Sequence, residues 1–280
     1  MGCCESVTQE EQDARAAAAG GGAPLLTGIL TQQCGPRLAV RESGSLLIST
    51  MHREGSTANG RVFEYRTATP NAQGVELIAG IDSAQGVPGL ALMPDGSLLV
   101  STFTFATRRA SILRFASTNP GQSPADAQLF MSDIVCHNGP PDLAVRPDGT
   151  LLVAMQSEYG PPRGSVYSFA PGVQVWSQGV LLIDGKRGNA PGNFPSPGGA
   201  PSMALRPDGA ILLAKKEHPG SVGSVYEFGS GARSGADGRQ VRQKTSLGAG
   251  LLTALTGGGA CAGADGPGDA GRIARHCDTP

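Results

Sequence analysis

The stretch LAVRPDGTLLVA, residues 143–154, consists of two short apolar runs joined at Pro147-Asp148-Gly149. Glycine accepts the positive φ of a tight hairpin turn without steric cost, so the stretch predicts a β-hairpin. Three close copies stand elsewhere in the chain: LAVRESGSLLIST at 38–50, LALMPDGSLLVST at 90–102 and MALRPDGAILLAK at 203–215. Their turn glycines, Gly44, Gly96, Gly149 and Gly209, are 52, 53 and 60 residues apart. A period of that length belongs to propeller blades and solenoid units.

Each hairpin is followed at nearly constant distance by a third run: RVFEY (61–65), SILRF (111–115), SVYSF (165–169) and SVYEF (224–228). Apolar and polar residues alternate in these runs, with aromatics on one face, as in half-buried strands. A fourth run comes next, VELIAGI from Val75, AQLFMSDI from Ala127 and VQVWSQGVLLI from Val173. The chain therefore reads as all-β, a β-propeller of four-stranded antiparallel blades with four blades legible. Sheets packed radially cover each other's faces, which is the physical reason for the repetition, and the L-A-V/L runs become inner strands around one axis. The segment PLLTGIL (24–30) resembles a fourth strand and is expected to close the ring by pairing with the last blade. The organisation read is a tail over 1–24, the propeller over 25–256 and a Gly-rich segment over 257–280.

Composition agrees with many short strands. The 280 residues include 42 glycines and 21 prolines, with only 5% aromatic and 16% charged residues. Lys plus Arg number 22 against 23 acidic residues, so there is no field to gather nucleic acid. The cysteines, Cys3, Cys4, Cys34, Cys136, Cys261 and Cys277, show no C-x-x-C zinc spacing, and no apolar h-region follows the first pair. A reducing compartment is expected.

The PDG-x-L-L-V hairpin followed by G-S-V-Y-x-F resembles the superfamily of six-bladed propellers that contains NHL-repeat proteins, the gluconolactonase family and soluble sorbosone dehydrogenases. The C-terminal LTGGGACAGADGPGDAGRIARHCDTP (255–280) is similar to the spacer before an NHL blade. Against a six-bladed parent, four blades make a ring that is incomplete or closes atypically. The resemblance implies an axial divalent metal in the lactonase branch and a catalytic histidine beside a basic residue in the quinoprotein branch.

Against that implication we set the residues themselves. His137, Asn138 and Asp142, at the entrance to the third hairpin, put an imidazole, an amide and a carboxylate in one loop and form the candidate metal set. At the position of Asp142 the other blades offer Arg37, Gly89 and Ser202, and no second carboxylate. Asn138 and Asp142 also suit turn capping. At the exits of the second strands, where related propellers place aspartate, the chain has Ser49-Thr50, Ser101-Thr102, Ala154-Met155 and Ala214-Lys215. His52-Arg53 and Lys215-Lys216-Glu217-His218 are the basic pairs the quinoprotein reading would use. Arg41, Arg146 and Arg206 recur at one hairpin position and are expected to pair with neighbouring acids.

The N-terminus, MGCCES, fits the myristoylation pattern M-G-x-x-x-[ST], with Gly2 as acceptor and Cys3 and Cys4 as palmitoylation sites. One acyl chain binds a membrane marginally and a second makes attachment stable. Residues 5–24 read as a short helical spacer or a disordered tail. The resulting expectation is a propeller tethered to the cytoplasmic face of a membrane, or cytoplasmic if unacylated. It would bind a protein or small-molecule ligand at its rim, without catalytic activity and with no cofactor required. A metal-dependent lactonase-like hydrolase or a quinoprotein sugar dehydrogenase is the alternative.

Overall fold

The computed structural model describes residues 35–54, 57–66, 72–116, 118–137, 139–157, 163–184, 201–216, 223–232 and 238–241, together with Leu26 and Ile29. Four antiparallel sheets of four strands, each in sequential order, form a four-bladed propeller. Blade 1 is β1 Arg37–Val40, β2 Leu46–Glu54, β3 Thr57–Tyr65 and β4 Val75–Asp82. Blade 2 is β5 Leu90–Leu92, β6 Leu98–Thr104, β7 Arg109–Phe115 and β8 Gln128–Val135. Blade 3 is β9 Asp142–Val145, β10 Leu151–Ser157, β11 Arg163–Phe169 and β12 Val180–Asp184. Blade 4 is β13 Ser202–Leu205, β14 Ile211–Lys216, β15 Gly223–Phe228 and β16 Arg239–Gln240.

The repeated turns carry the inner hairpins as the sequence predicts. Gly149 has φ of +83° and its N–H donates to Arg146 O at 2.9 Å, while Asp148 Oδ1 accepts from the Thr150 amide at 2.9 Å. The same turn recurs at Gly44, Gly96 and Gly209. A side chain in place of glycine would be strained in this left-handed region. Of the three recurring arginines, Arg41 pairs with Glu64 and Arg206 with Glu227 and Asp208, whereas Arg146 donates to Ser230 O at 3.1 Å.

Three cores hold successive blades together. Between blades 1 and 2, Leu47, Val62, Ile78 and Ile81 meet Leu90, Leu98, Val100 and Phe115. Between blades 2 and 3, Leu99, Ile112, Met131 and Ile134 meet Leu143, Leu151, Val153 and Phe169. Between blades 3 and 4, Leu152, Val166 and Ile183 meet Ile211, Leu213 and Phe228. Burying such side chains contributes about 1.5–3 kcal/mol each, which makes these interfaces the main cohesion of the fold.

The fourth run of blade 3 departs from the sequence reading. Only Val180–Asp184 is strand, and Trp176–Gln178 is a short 3₁₀ turn. Trp176 folds onto the aromatic face of β11, its ring 4.8 Å from Tyr167 and 5.3 Å from Phe169. The 3₁₀ turn that seats the indole on that face interrupts the run before β12. No α-helix occurs among the described residues; the helix expected over 5–24 lies outside them.

Candidate functional site

The repeat aligns the first residues of the inner strands, so Arg37, Asp142 and Ser202, together with Gly89 just before β5, occupy one level of the four blades. Arg37 Nη1 reaches across to Asp142 Oδ2 at 3.3 Å and also donates to Ser202 Oγ. Asp142 Oδ2 accepts a further bond from the Met203 amide at 2.7 Å. Blades 1, 3 and 4 thereby converge on one carboxylate.

Asp142 is only 5% exposed. Burial raises its pKa above the ordinary aspartate value of 3.8, against the opposing pull of the Arg37 guanidinium and the Met203 and Leu143 amides.

Glycine is required at the fourth position of this level. A Cβ on Gly89 would lie 2.2 Å from Pro141 O and 2.9 Å from Asp142 Cα. The absence of a side chain lets blade 2 approach the backbone that carries Asp142. The serines at the second-strand exits complete the joint: Ser49 Oγ donates to Pro88 O at 2.6 Å, and Ser101 Oγ donates to Pro141 O at 2.7 Å while accepting from the Gly89 amide at 2.7 Å. Where related propellers are said to place aspartates, this chain has hydroxyl clips from one blade to the next.

Pairing of Asp142 with Ala154, and of Ser202 with Ala214, puts this level beside the middle of β10 and β14, three residues beyond their starts at the Pro-Asp-Gly turns. From this level β6, β10 and β14 run on to end at Thr104, Ser157 and Lys216.

The candidate metal set is only partly brought together. His137 is half-buried, its amide bonded to Gln156 O at 3.1 Å, and its Nδ1 has no hydrogen-bond partner. Asn138 lies outside the described residues. Asp142 Oδ2 is committed to a guanidinium and an amide, a poor setting for a divalent cation on that oxygen. Among the described residues no group of three His, Cys, Asp or Glu side chains converges to hold a metal. His52 Nε2 lies 3.1 Å from Thr50 Oγ1, and the side chains of Lys215 and Lys216, with Glu217 and His218, lie outside the described set, as do Gly2, Cys3 and Cys4. Arg37 is the site residue the sequence reading left out. The signal for it was its place at the level of Asp142, where its opposite charge had a partner.

Fold and site together define a four-bladed β-propeller in which, among the described residues, a buried Arg37–Asp142 ion pair joins the inner strands of blades 1 and 3. No protein-family model matches the chain, and no curated protein matches it in sequence. Among solved structures it is similar to an α-L-arabinanase of Penicillium chrysogenum complexed with arabinobiose, at 14% identity and a TM-score of 0.51 over 79% of this chain and 69% of that one. It is also similar to an α-L-arabinofuranosidase of Fusarium graminearum with arabinobiose, at 12% identity and a TM-score of 0.50 over 74% of this chain and 65% of that one. A regucalcin of Agrobacterium tumefaciens, a calcium-binding protein, matches at 18% identity and a TM-score of 0.40 over 65% of this chain. The chain spans 54% of that regucalcin and about two thirds of the two arabinose-acting enzymes.

The two likenesses with TM-scores of 0.50 and above agree with the fold. They also correct the expectation of a propeller without catalytic activity: the two with TM-scores of 0.50 and above are glycoside-cleaving enzymes.

Proposed function

We propose that this chain is a propeller hydrolase acting on glycosides, with Asp142 as the proton donor. The observation that carries the reading is the buried axial carboxyl of Asp142, raised in pKa by burial and fixed in direction by Arg37 and the Met203 amide. Protonation of a leaving sugar oxygen requires such a carboxyl, and hydrolysis requires a second one to activate water or attack the sugar. Glu158 and Glu217 directly follow β10 and β14 in sequence, and we propose one of them for the second role. Support for a sugar substrate comes from the arabinose-acting enzymes that share the fold. The test is release of reducing sugar by the full chain from arabino-, xylo- and galacto-oligosaccharides. The expected result is turnover that disappears in Asp142→Asn and in either Glu158→Gln or Glu217→Gln; no turnover on any of the three contradicts the reading.

We propose further that Gly2 is myristoylated and Cys3 or Cys4 palmitoylated, which would hold the enzyme at the cytoplasmic face of a membrane. Support is the coincidence of the M-G-x-x-x-S pattern with two adjacent cysteines. A ligand at the rim is then the glycoside itself, and no nucleic-acid role is proposed.

A further inference from the structure

Blade 1 presents to its open side the same face that blades 2, 3 and 4 bury against their predecessors. On blades 2 and 3 the inner-strand leucines of that face, Leu90 and Leu143, are 4% and 3% exposed. On blade 1 the equivalent Leu38 and its neighbour Val40 are each 57% exposed. Yet the outer part of the same face is covered. Leu26 and Ile29 pack on Leu46, Ile48 and Tyr65.

Those contacts reproduce a pattern found at each earlier seam. Ile78 and Ile81 of β4 pack on Leu98, Val100 and Phe115 of the next blade, and Met131 and Ile134 of β8 pack on Leu151, Val153 and Phe169. Leu26 and Ile29 precede Ile78 and Ile81 by 52 residues, the spacing of the first two turn glycines. The match runs without a gap from LLTGI at 25–29 against LIAGI at 77–81 through to the next proline, Pro36 against Pro88. It includes Gly28 opposite Gly80, and Gly80 sits at φ of +74° where β4 bulges against β3. The sequence of 25–29 and the contacts of Leu26 and Ile29 thus correspond to those of an outermost strand. The blade to which it belongs would precede blade 1, and blade 4 already has its own outer strand, β16.

We propose that residues 24–30 are the outer strand of a further blade seated between blade 4 and blade 1, and that residues 242–280 of this chain supply its inner strands. The direction of the chain argues for this occupant. In blades 1 and 2 the chain leaves the outer strand and enters the inner strand of the next position directly, from β4 to β5 and from β8 to β9. Val241, whose amide bonds Val225 O at 2.8 Å, ends the described part of blade 4 at the corresponding point. The 39 residues that follow exceed the 29 from Arg37 to Tyr65 that make three strands in blade 1. They carry Leu251, Leu252, Leu255 and Ile273 to set against Leu38 and Val40. A tethered segment also has a high effective concentration at the seat, which a second copy lacks.

The test is photo-crosslinking of the full chain with p-benzoylphenylalanine in place of Leu38, read by peptide mass spectrometry. The expected product joins position 38 to a peptide within 242–280 of the same chain. Linkage to a second chain, linkage to any other segment, or no linkage overturns the proposal. Hydrogen exchange on the unmodified full chain gives a second reading: amides of 27–29 should exchange at least about 100-fold slower than an unstructured peptide, as paired strand amides do. Unprotected amides there contradict the outer-strand assignment.

Discussion

Arg37 and Asp142, 105 residues apart in sequence, form an ion pair of 3.3 Å that joins the first blade to the third across the axis. The two side chains are nearly enclosed, at 15% and 6% exposure, so each depends on the other for compensation of its lost hydration. Replacing Arg37 by Met takes from the buried Asp142 Oδ2 one of the two donors it accepts from. We expect a loss on the order of 3 kcal/mol in denaturant-unfolding stability, and a smaller loss for the double variant Arg37→Met/Asp142→Asn. Equal losses in the single and double variants would show that the two residues do not act as a pair.

The raised pKa of Asp142 fixes a sign for pH dependence. Its protonated form is favoured in the folded chain, so the stability it contributes is full below the ordinary aspartate value of 3.8 and is lost as pH rises through the higher folded value. Asp95 and Asp148 act in the opposite sense. Hydrogen bonds from Ser97 and Thr150 lower their pKa values, so their contribution is lost as pH falls below 3.8. Thermal unfolding followed from pH 3 upward should therefore show, in Asp142→Asn relative to the parent, a gain that grows as pH rises past about 4. A constant offset across the range contradicts the assignment.

The joint between blades 2 and 3 is expected to respond to single atoms. Ser101→Ala removes one bond to Pro141 O and one from the Gly89 amide, and should cost about 1–3 kcal/mol. Gly89→Ala forces a methyl group against Pro141 O and Asp142 Cα and should cost on the order of 3 kcal/mol. The single tryptophan, Trp176, packs on Phe169 at this same interface. Its emission in urea titrations reads both variants directly, and midpoints unshifted from the parent would count against the joint.

Attachment has a separate test. Gly2→Ala should move the full chain from the membrane to the soluble fraction of a eukaryotic cell, and Cys3→Ser/Cys4→Ser should leave weak, reversible binding. Membrane association unchanged in Gly2→Ala would refute acylation.

The blades were legible because their information is local and repeated. Gly149 must take a positive φ, Leu151 and Val153 must point one way and Leu152 the other, and four copies state the same requirement. VQVW at 173–176 was misread because strict alternation cannot tell a strand from a turn that lays one aromatic over another. Only the position of Trp176 above Tyr167 and Phe169 distinguishes them. The axial site was half legible. Its level is evident from the alignment of Arg37, Gly89, Asp142 and Ser202, but metal-ligand chemistry singles out only the residues of like charge there. A cation and an acid meeting across 105 residues leave no periodic trace, and the pairing emerges only when the ring brings β1 and β9 to one axis.

The central claim is that Asp142 protonates a leaving group, and the sharpest measurement compares two leaving groups in the Asp142→Asn variant of the full chain. An arabinofuranoside of dinitrophenol departs without proton assistance, whereas an alkyl arabinofuranoside does not. The account predicts that Asp142→Asn slows kcat/KM for the alkyl glycoside by about 10²–10⁴-fold and leaves that for the dinitrophenyl glycoside within a few-fold of the parent. Equal losses on both substrates, or no loss on either, would contradict it.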